Sequence, residues 1–171
     1  MIEIKKATTN FEFEIIKNLA FEILHEVYAP IVPSEHTNIF LQSYLSVEAI
    51  THQIAFKKFN YYLLNYQSKS VGFLGIQKLS DKLILSKLYV LSSFRGKKIG
   101  KTALEFVFNF ASENNINTIE LVVNRKNDHS ISIYKKNGFK IIESMVNSFP
   151  NGYTVKDYKM EKKVFNSQLC Q

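Results

Sequence analysis

Residues 88–104 read LYVLSSFRGKKIGKTAL: an apolar run, a short polar turn, and the start of a second apolar run. Leu88, Tyr89 and Val90 close a stretch, Leu83 to Leu91, rich in the aliphatic and aromatic residues of strands, whereas from Ile99 to Ala111 the apolar positions recur at helical spacing. The order is strand, loop, helix. The first N–H groups of a helix have no intrahelical partner and the macrodipole adds partial positive charge there. The loop Arg95, Gly96, Lys97, Lys98, Ile99, Gly100, Lys101 is therefore a cradle for an anion such as a pyrophosphate. Three or four amides at roughly 1.5 to 3 kcal/mol each would give a gross gain on the order of 5 to 10 kcal/mol before binding costs. A plainer alternative is that Gly96 and Gly100 serve only turn geometry and helix packing. The Gly-Lys-Ser/Thr ending of a P-loop and the triple-glycine spacing of a dinucleotide site are both missing.

Outward from this stretch, strands and helices continue to alternate. Ile2 to Ala7 has the period-two pattern of a half-buried strand. Thr9 and Glu12 have capping-box spacing, and Phe11, Ile15, Leu19, Phe21 or Glu22, and Ile23 define an apolar stripe for a helix ending near Tyr28. Pro30 and Pro33 break it, Ser34 is placed to cap a second helix, and the region up to Lys58 holds two short helices. Tyr61 to Tyr66 and Val71 to Gln77 form a hairpin, extended by Leu83 to Leu91 into three antiparallel strands. Downstream come a strand at Thr118 to Val123, a helix from Asp128 to Lys136 stopped by Gly138, and strands at Phe139 to Met145 and Tyr153 to Val164. The sum is one α/β domain over residues 1–171, a mixed and mostly antiparallel central sheet of about six or seven strands with helices on both faces.

Composition narrows the function. With 171 residues, 46% hydrophobic and 22% charged, the chain suits a single packed domain. No apolar run is long enough for a membrane span, the start is already charged, and the one cysteine, Cys170, cannot form an internal disulfide; a cytoplasmic protein is expected. The net charge of +7 is carried almost wholly by lysine, with Arg95 and Arg125 the sole arginines, which disfavours base readout and a nucleic-acid partner. His36 and His52 lack metal-ligand companions, so no metal is expected.

A second segment carries chemistry. Asn127 and Tyr134 lie seven residues apart, two helical turns, so both can face one ligand beside the end of the preceding strand. Asn127 is equally a good N-cap, and Tyr134 a half-buried aromatic with a wet hydroxyl. Taken together, the two segments resemble the GNAT superfamily of acetyl-coenzyme A dependent N-acetyltransferases. The family loop Gln/Arg-x-x-Gly-x-Gly/Ala is matched by Arg95, Ile99 and Gly100, with Lys98 in place of the middle glycine. The second signature is matched by Asn127, Ser130, Tyr134, Gly138 and Phe139, and residues 151–162 look like the last strand of bacterial members, including those resembling polyamine acetyltransferases.

The resemblance implies a GNAT-like fold and acetyl-coenzyme A as co-substrate. By this likeness Leu88, Tyr89 and Val90 offer backbone to the pantetheine arm and to the thioester carbonyl, while Arg95, Gly96, Lys97, Lys98, Ile99, Gly100 and Lys101 hold the pyrophosphate. It implies further that Asn127 contacts the pantetheine or positions the sulfur, and that Tyr134 protonates the leaving thiolate after direct attack in a ternary complex. The expected acceptor is a small primary amine such as a polyamine. The alternatives are a protein N-terminus or lysine, or a coenzyme A-binding regulatory module without turnover. Glu26 and Tyr28 are the expected acceptor contacts, a carboxylate beside an aromatic ring suiting a cationic amine. The proton acceptor is unassigned, because Val122 stands where some relatives carry Glu; a water chain or Glu22, His25, Glu26 and Tyr28 are alternatives. A homodimer through an exposed sheet edge such as the last strand is left open.

Overall fold

A computed structural model describes residues 1–164; Cys170 lies outside them. The elements in chain order are β1 (Ile2–Lys6), α1 (Asn10–Tyr28), α2 (Ser34–Leu45), α3 (Val47–Phe56), β2 (Phe59–Tyr66), β3 (Lys69–Lys78), β4 (Leu83–Val90), α4 (Ile99–Glu113), β5 (Thr118–Asn124), α5 (Asp128–Lys136), β6 (Lys140–Ser148) and β7 (Thr154–Lys163). They build one seven-stranded sheet in the order β1-β2-β3-β4-β5-β7-β6, and the β4–β5 pair alone is parallel. That parallel step needs a crossover, and α4 supplies it. Helices cover both faces. Successive residues on a strand point to opposite sides, and Tyr61 bonds Gln53 of α3 at 2.8 Å while Tyr62 packs edge-on against Phe106 of α4.

The start of α1 forms as its residues dictate. The Glu12 amide donates to Thr9 Oγ1, the Thr9 amide donates to Glu12 Oε2 at 3.0 Å, and Lys5 Nζ lies 2.9 Å from the same carboxylate. The Lys5 hydrogen bond, followed by that of the Thr8 amide, pulls the Glu12 carboxyl down to about 2. Its stabilising contribution is therefore present above the ordinary carboxyl range and lost as pH falls towards 2.

Three expectations are corrected. The buried face of α1 is Phe13, Ile16, Leu19, Ala20, Ile23 and Leu24, so Leu19 and Ile23 lie on it as expected and Ile15 is half-buried beside it, whereas Phe11 and Phe21 are exposed. Ser34 is the first residue of α2; Pro33 occupies the cap position, and no side chain caps that end. The last strand is no sheet edge, since β7 pairs with β5 on one side and β6 on the other; the edges are β1 and β6.

Two irregularities position the site. The β3–β4 register steps from Gly75↔Lys87 to Ile76↔Leu85, so Ser86 is an extra residue, a bulge that bends β4. On the other side β4 pairs with β5 only at Leu83↔Ile119 and Ile84↔Glu120. Past Ile84 the two strands part, and a gap opens in the middle of the sheet.

Candidate active site

The backbone turns from β4 into α4 through a short 3₁₀ turn at Ser92–Phe94. Gly96 then takes φ +77° and Lys98 φ +64°, both in the left-handed region. Lys98 thus keeps the conformation that favours glycine at the position where the family loop has one, at a cost of roughly 1–2 kcal/mol. The first α4 bond runs from Thr102 N–H to Lys98 O at 2.9 Å, so the amides of Ile99, Gly100 and Lys101 precede the intrahelical ladder. A Cβ built on Gly100 or on Gly96 would meet nothing within 4 Å, which leaves the backbone there open to close approach. The donors and the open space suit a diphosphate.

The side chains of the loop are less uniform than their charges suggest. Arg95 reaches Glu26 Oε1 at 3.3 Å, Lys101 lies 3.7 Å from Glu105, and Lys97 sits over the rings of Tyr66 and Phe94. Lys98 makes none of these contacts. Lys98→Gly is expected to remove the left-handed penalty but to add unfolded-chain entropy. The net gain is about 0.5 kcal/mol, a rise in Tm of about 1 to 2 °C. Thermal melts of the two proteins check it, and a lower Tm for the glycine variant would mean that the lysine is not strained.

Leu88, Tyr89 and Val90 pair with Leu74, Phe73 and Gly72 of β3, and their other edge faces the gap. Asn127 is the N-cap of α5: its Oδ1 accepts from the Ser130 amide at 3.2 Å, and its Nδ2 is left without a partner among the described residues. Tyr134 packs edge-on against Phe139, and burial, assisted by the nearby Tyr28 phenol, pushes its hydroxyl up to about 12. Tyr28 and Tyr89 hydroxyls lie 3.4 Å apart, and the electrostatic influence of Tyr134 reaches Tyr89 as well. Three phenols from α1, β4 and α5 therefore converge beside the split in the sheet.

Next to them is a cavity of about 390 Å³. Its walls include Tyr28 of α1, Phe40 and Tyr44 of α2, Leu85 to Lys87 and Tyr89 of β4, Val122 and Asn124 of β5, and Asp157 of β7. The expected acceptor pair is split by the structure: Tyr28 lines this cavity, whereas Glu26 lies outside it, exposed and turned to Arg95. His25 likewise turns away, with Nε2 2.8 Å from Asn38 Oδ1. Two cavity groups escaped the sequence reading. Asp157, 7% exposed, accepts a 2.6 Å hydrogen bond from Asn147 Nδ2, and Lys87 directs its Nζ at Ser86. Lys87 did leave a signal, as a lone charge inside the apolar run Leu83 to Val90.

Residues 28–162 match the family model described as an acetyltransferase (GNAT) domain. The chain belongs to the GNAT acetyltransferase family. A spermidine N(1)-acetyltransferase of Thermoplasma acidophilum is 29% identical over 166 residues, covering 95% of this chain and 97% of that one. Among solved structures, a PaiA N-acetyltransferase from T. acidophilum in complex with coenzyme A superposes with a TM-score of 0.81 at 26% identity, over 95% of this chain and 99% of that one. The ribosomal-protein-S18-alanine N-acetyltransferase of Escherichia coli shares the fold at a TM-score of 0.75 and 15% identity, over 100% and 99% of the two chains. This GNAT protein is accordingly an acyltransferase, and coenzyme A is its carrier. Among the described residues no group of His, Cys, Asp and Glu could hold a metal ion, and no helix is long and apolar enough to cross a membrane.

Proposed function

We propose that this enzyme moves acetyl from acetyl-coenzyme A to a small primary amine, with polyamines as the leading class. The supporting observation is the cavity beside the β4–β5 gap: aromatic on several sides, with Asp157 as the one carboxylate among the described residues that line it. At an effective dielectric constant near 20, an ammonium about 4 Å from that carboxylate gains on the order of 4 kcal/mol, and the rings of Tyr28, Phe40 and Tyr44 suit a cation as well. Far from the gap, α2 meets the turn between β6 and β7, where His36 stacks on Tyr153 at 3.8 Å and Phe40 packs edge-on against Phe149. Those contacts wall the cavity on that side and favour a short amine over an extended peptide.

Acetyl-coenzyme A supplies an activated thioester. The amides of residues 99–101 bind its diphosphate, with Arg95, Gly96, Lys97 and Lys98 shaping the loop around them, and the free edge of Leu88, Tyr89 and Val90 receives the pantetheine arm. A β4 amide directed at the thioester carbonyl stabilises the charge that develops there as the amine attacks. Asn127 Nδ2 is available to the pantetheine. Tyr134 is better suited to donate a hydrogen bond to the departing sulfur than to surrender its proton. Transfer from a phenol at about 12 to a thiolate near 8.5 is uphill by about 5 kcal/mol.

Asp157→Asn keeps the size of the side chain and removes its charge. KM for a polyamine is expected to rise about tenfold or more with kcat within about threefold, as for lost uniform binding. Thiol release assayed across a panel of polyamines, monoamines and peptides tests both points. Unchanged KM, or transfer to peptides in preference to amines, would contradict the reading.

A further inference from the structure

We propose that Lys87 is the base that takes the proton from the acceptor's ammonium, a role that rests on the acetyl-transfer reading above. Lys87 lines the acceptor cavity, on β4 two residues from Tyr89 and next to the bulge at Ser86. Its stem lies over Gly75, where a Cβ would come within 3.2 Å of it, so the missing side chain on β3 is what lets Lys87 lie against the sheet. Nζ is held by two acceptors on one residue, Ser86 Oγ at 2.9 Å and Ser86 O at 3.3 Å, with the Phe40 ring 5.6 Å away. A neutral amine has two N–H bonds and one lone pair. With two N–H groups directed at the Ser86 oxygens, the remaining position on Nζ has no hydrogen-bond partner among the described residues, and in the neutral amine that position is the lone pair.

Burial, rather than any neighbouring charge, favours the neutral state of this amine. Tyr28 faces the cavity from α1, Tyr44 from α2, Tyr89 from β4 itself and Asp157 from β7, while the Tyr61 ring of β2 lies beside Gly75. Asp157 is the one carboxylate among them, and it is engaged by Asn147. Burial lowers the Lys87 amine to about 8, which leaves a substantial neutral fraction near neutral pH, unlike an exposed lysine. A permanently charged lysine would repel the very substrate that Asp157 attracts.

The Lys87 lone pair takes one proton from the acceptor ammonium, and the freed amine attacks the thioester carbonyl carbon. The new C–N bond forms and the C–S bond breaks. The second proton of the attacking nitrogen goes to the leaving sulfur, giving the amide and free coenzyme A thiol, and Lys87 returns its own proton to water.

The test is the pH dependence of kcat with a saturating polyamine for wild type, Lys87→Met and Lys87→Arg. The wild type is expected to show a rising limb near pH 8, because the neutral base is the active form. Both variants should lose about 100-fold or more at pH 7.5 and recover only as the substrate's own ammonium ionises near 10.4. Coenzyme A affinity should stay within about twofold of wild type in both by calorimetry. Variants that fold, bind coenzyme A and keep the wild-type rate and limb would overturn the proposal, as would an acetyl group found on Lys87 in place of turnover. The wild-type limb needs no variant, so its absence counts against the base even if a substitution unfolds the chain. If wild type binds coenzyme A but acetylates no amine, the acetyl-transfer reading itself falls, and Lys87's role with it.

Discussion

Gly100→Asp is expected to weaken coenzyme A binding by about 100-fold or more, close to 3 kcal/mol, with folding intact. Gly100 is the second residue of α4, and a Cβ there would meet nothing within 4 Å beyond its own stretch of helix, so the fold has room for a side chain at this position. For the helix it is favourable: glycine is the poorer helix former, and an acid in the first turn complements the macrodipole. For a diphosphate the sign reverses. The new carboxylate stands in the space the anion needs and competes for the amides of residues 99–101. Calorimetry with coenzyme A beside a thermal melt separates the two effects. Loss of affinity together with an unchanged or higher Tm is the expected pair; full affinity would mean that the diphosphate sits elsewhere.

Tyr134→Phe is expected to lower kcat about 10- to 100-fold while leaving coenzyme A affinity within about twofold, the range of one hydrogen bond to a charged group. The Tyr134 ring is half-buried, desolvation of its hydroxyl moves the titration up to about 12, and the group keeps its proton throughout an ordinary assay range. The sign follows from burial: desolvation penalises the phenolate, so the donor is retained as pH rises through 10. A kcat profile of wild type that stays level between pH 9 and 10.5 is expected. A falling limb near 10 would show an ordinary tyrosine acting as an acid, and an undiminished rate in the Phe variant would remove the residue from the chemistry.

Much of the architecture was legible because it is written in local signals. The capping box at Thr9 and Glu12, the helix from Asp128 to Lys136 and the strand from Thr118 are set by neighbours a few residues apart, and the structure has them at those places. The strand-loop-helix at residues 88–104 was legible for the same reason. What could not be read was decided by distant parts of the chain. Lys87 and Asp157 are 70 positions apart and meet in one cavity only because β7 enters the sheet next to β5, and because the bulge at Ser86 bends β4. Glu26 was read as an acceptor contact from its nearness to Tyr28, yet on a helix a shift of two positions turns a side chain to another face, and Arg95 takes it. Lys98 is the intermediate case. Its place in the loop was plain, but its left-handed backbone shows only in three dimensions.

The most direct measurement is a crystal structure with coenzyme A bound. The account predicts the diphosphate on the amides of residues 99–101, the pantetheine along Leu88 to Val90, and the sulfur within about 3.5 Å of the Tyr134 hydroxyl, facing the cavity that holds Lys87 and Asp157. A diphosphate bound away from that helix start, or a sulfur that never approaches Tyr134, would contradict it.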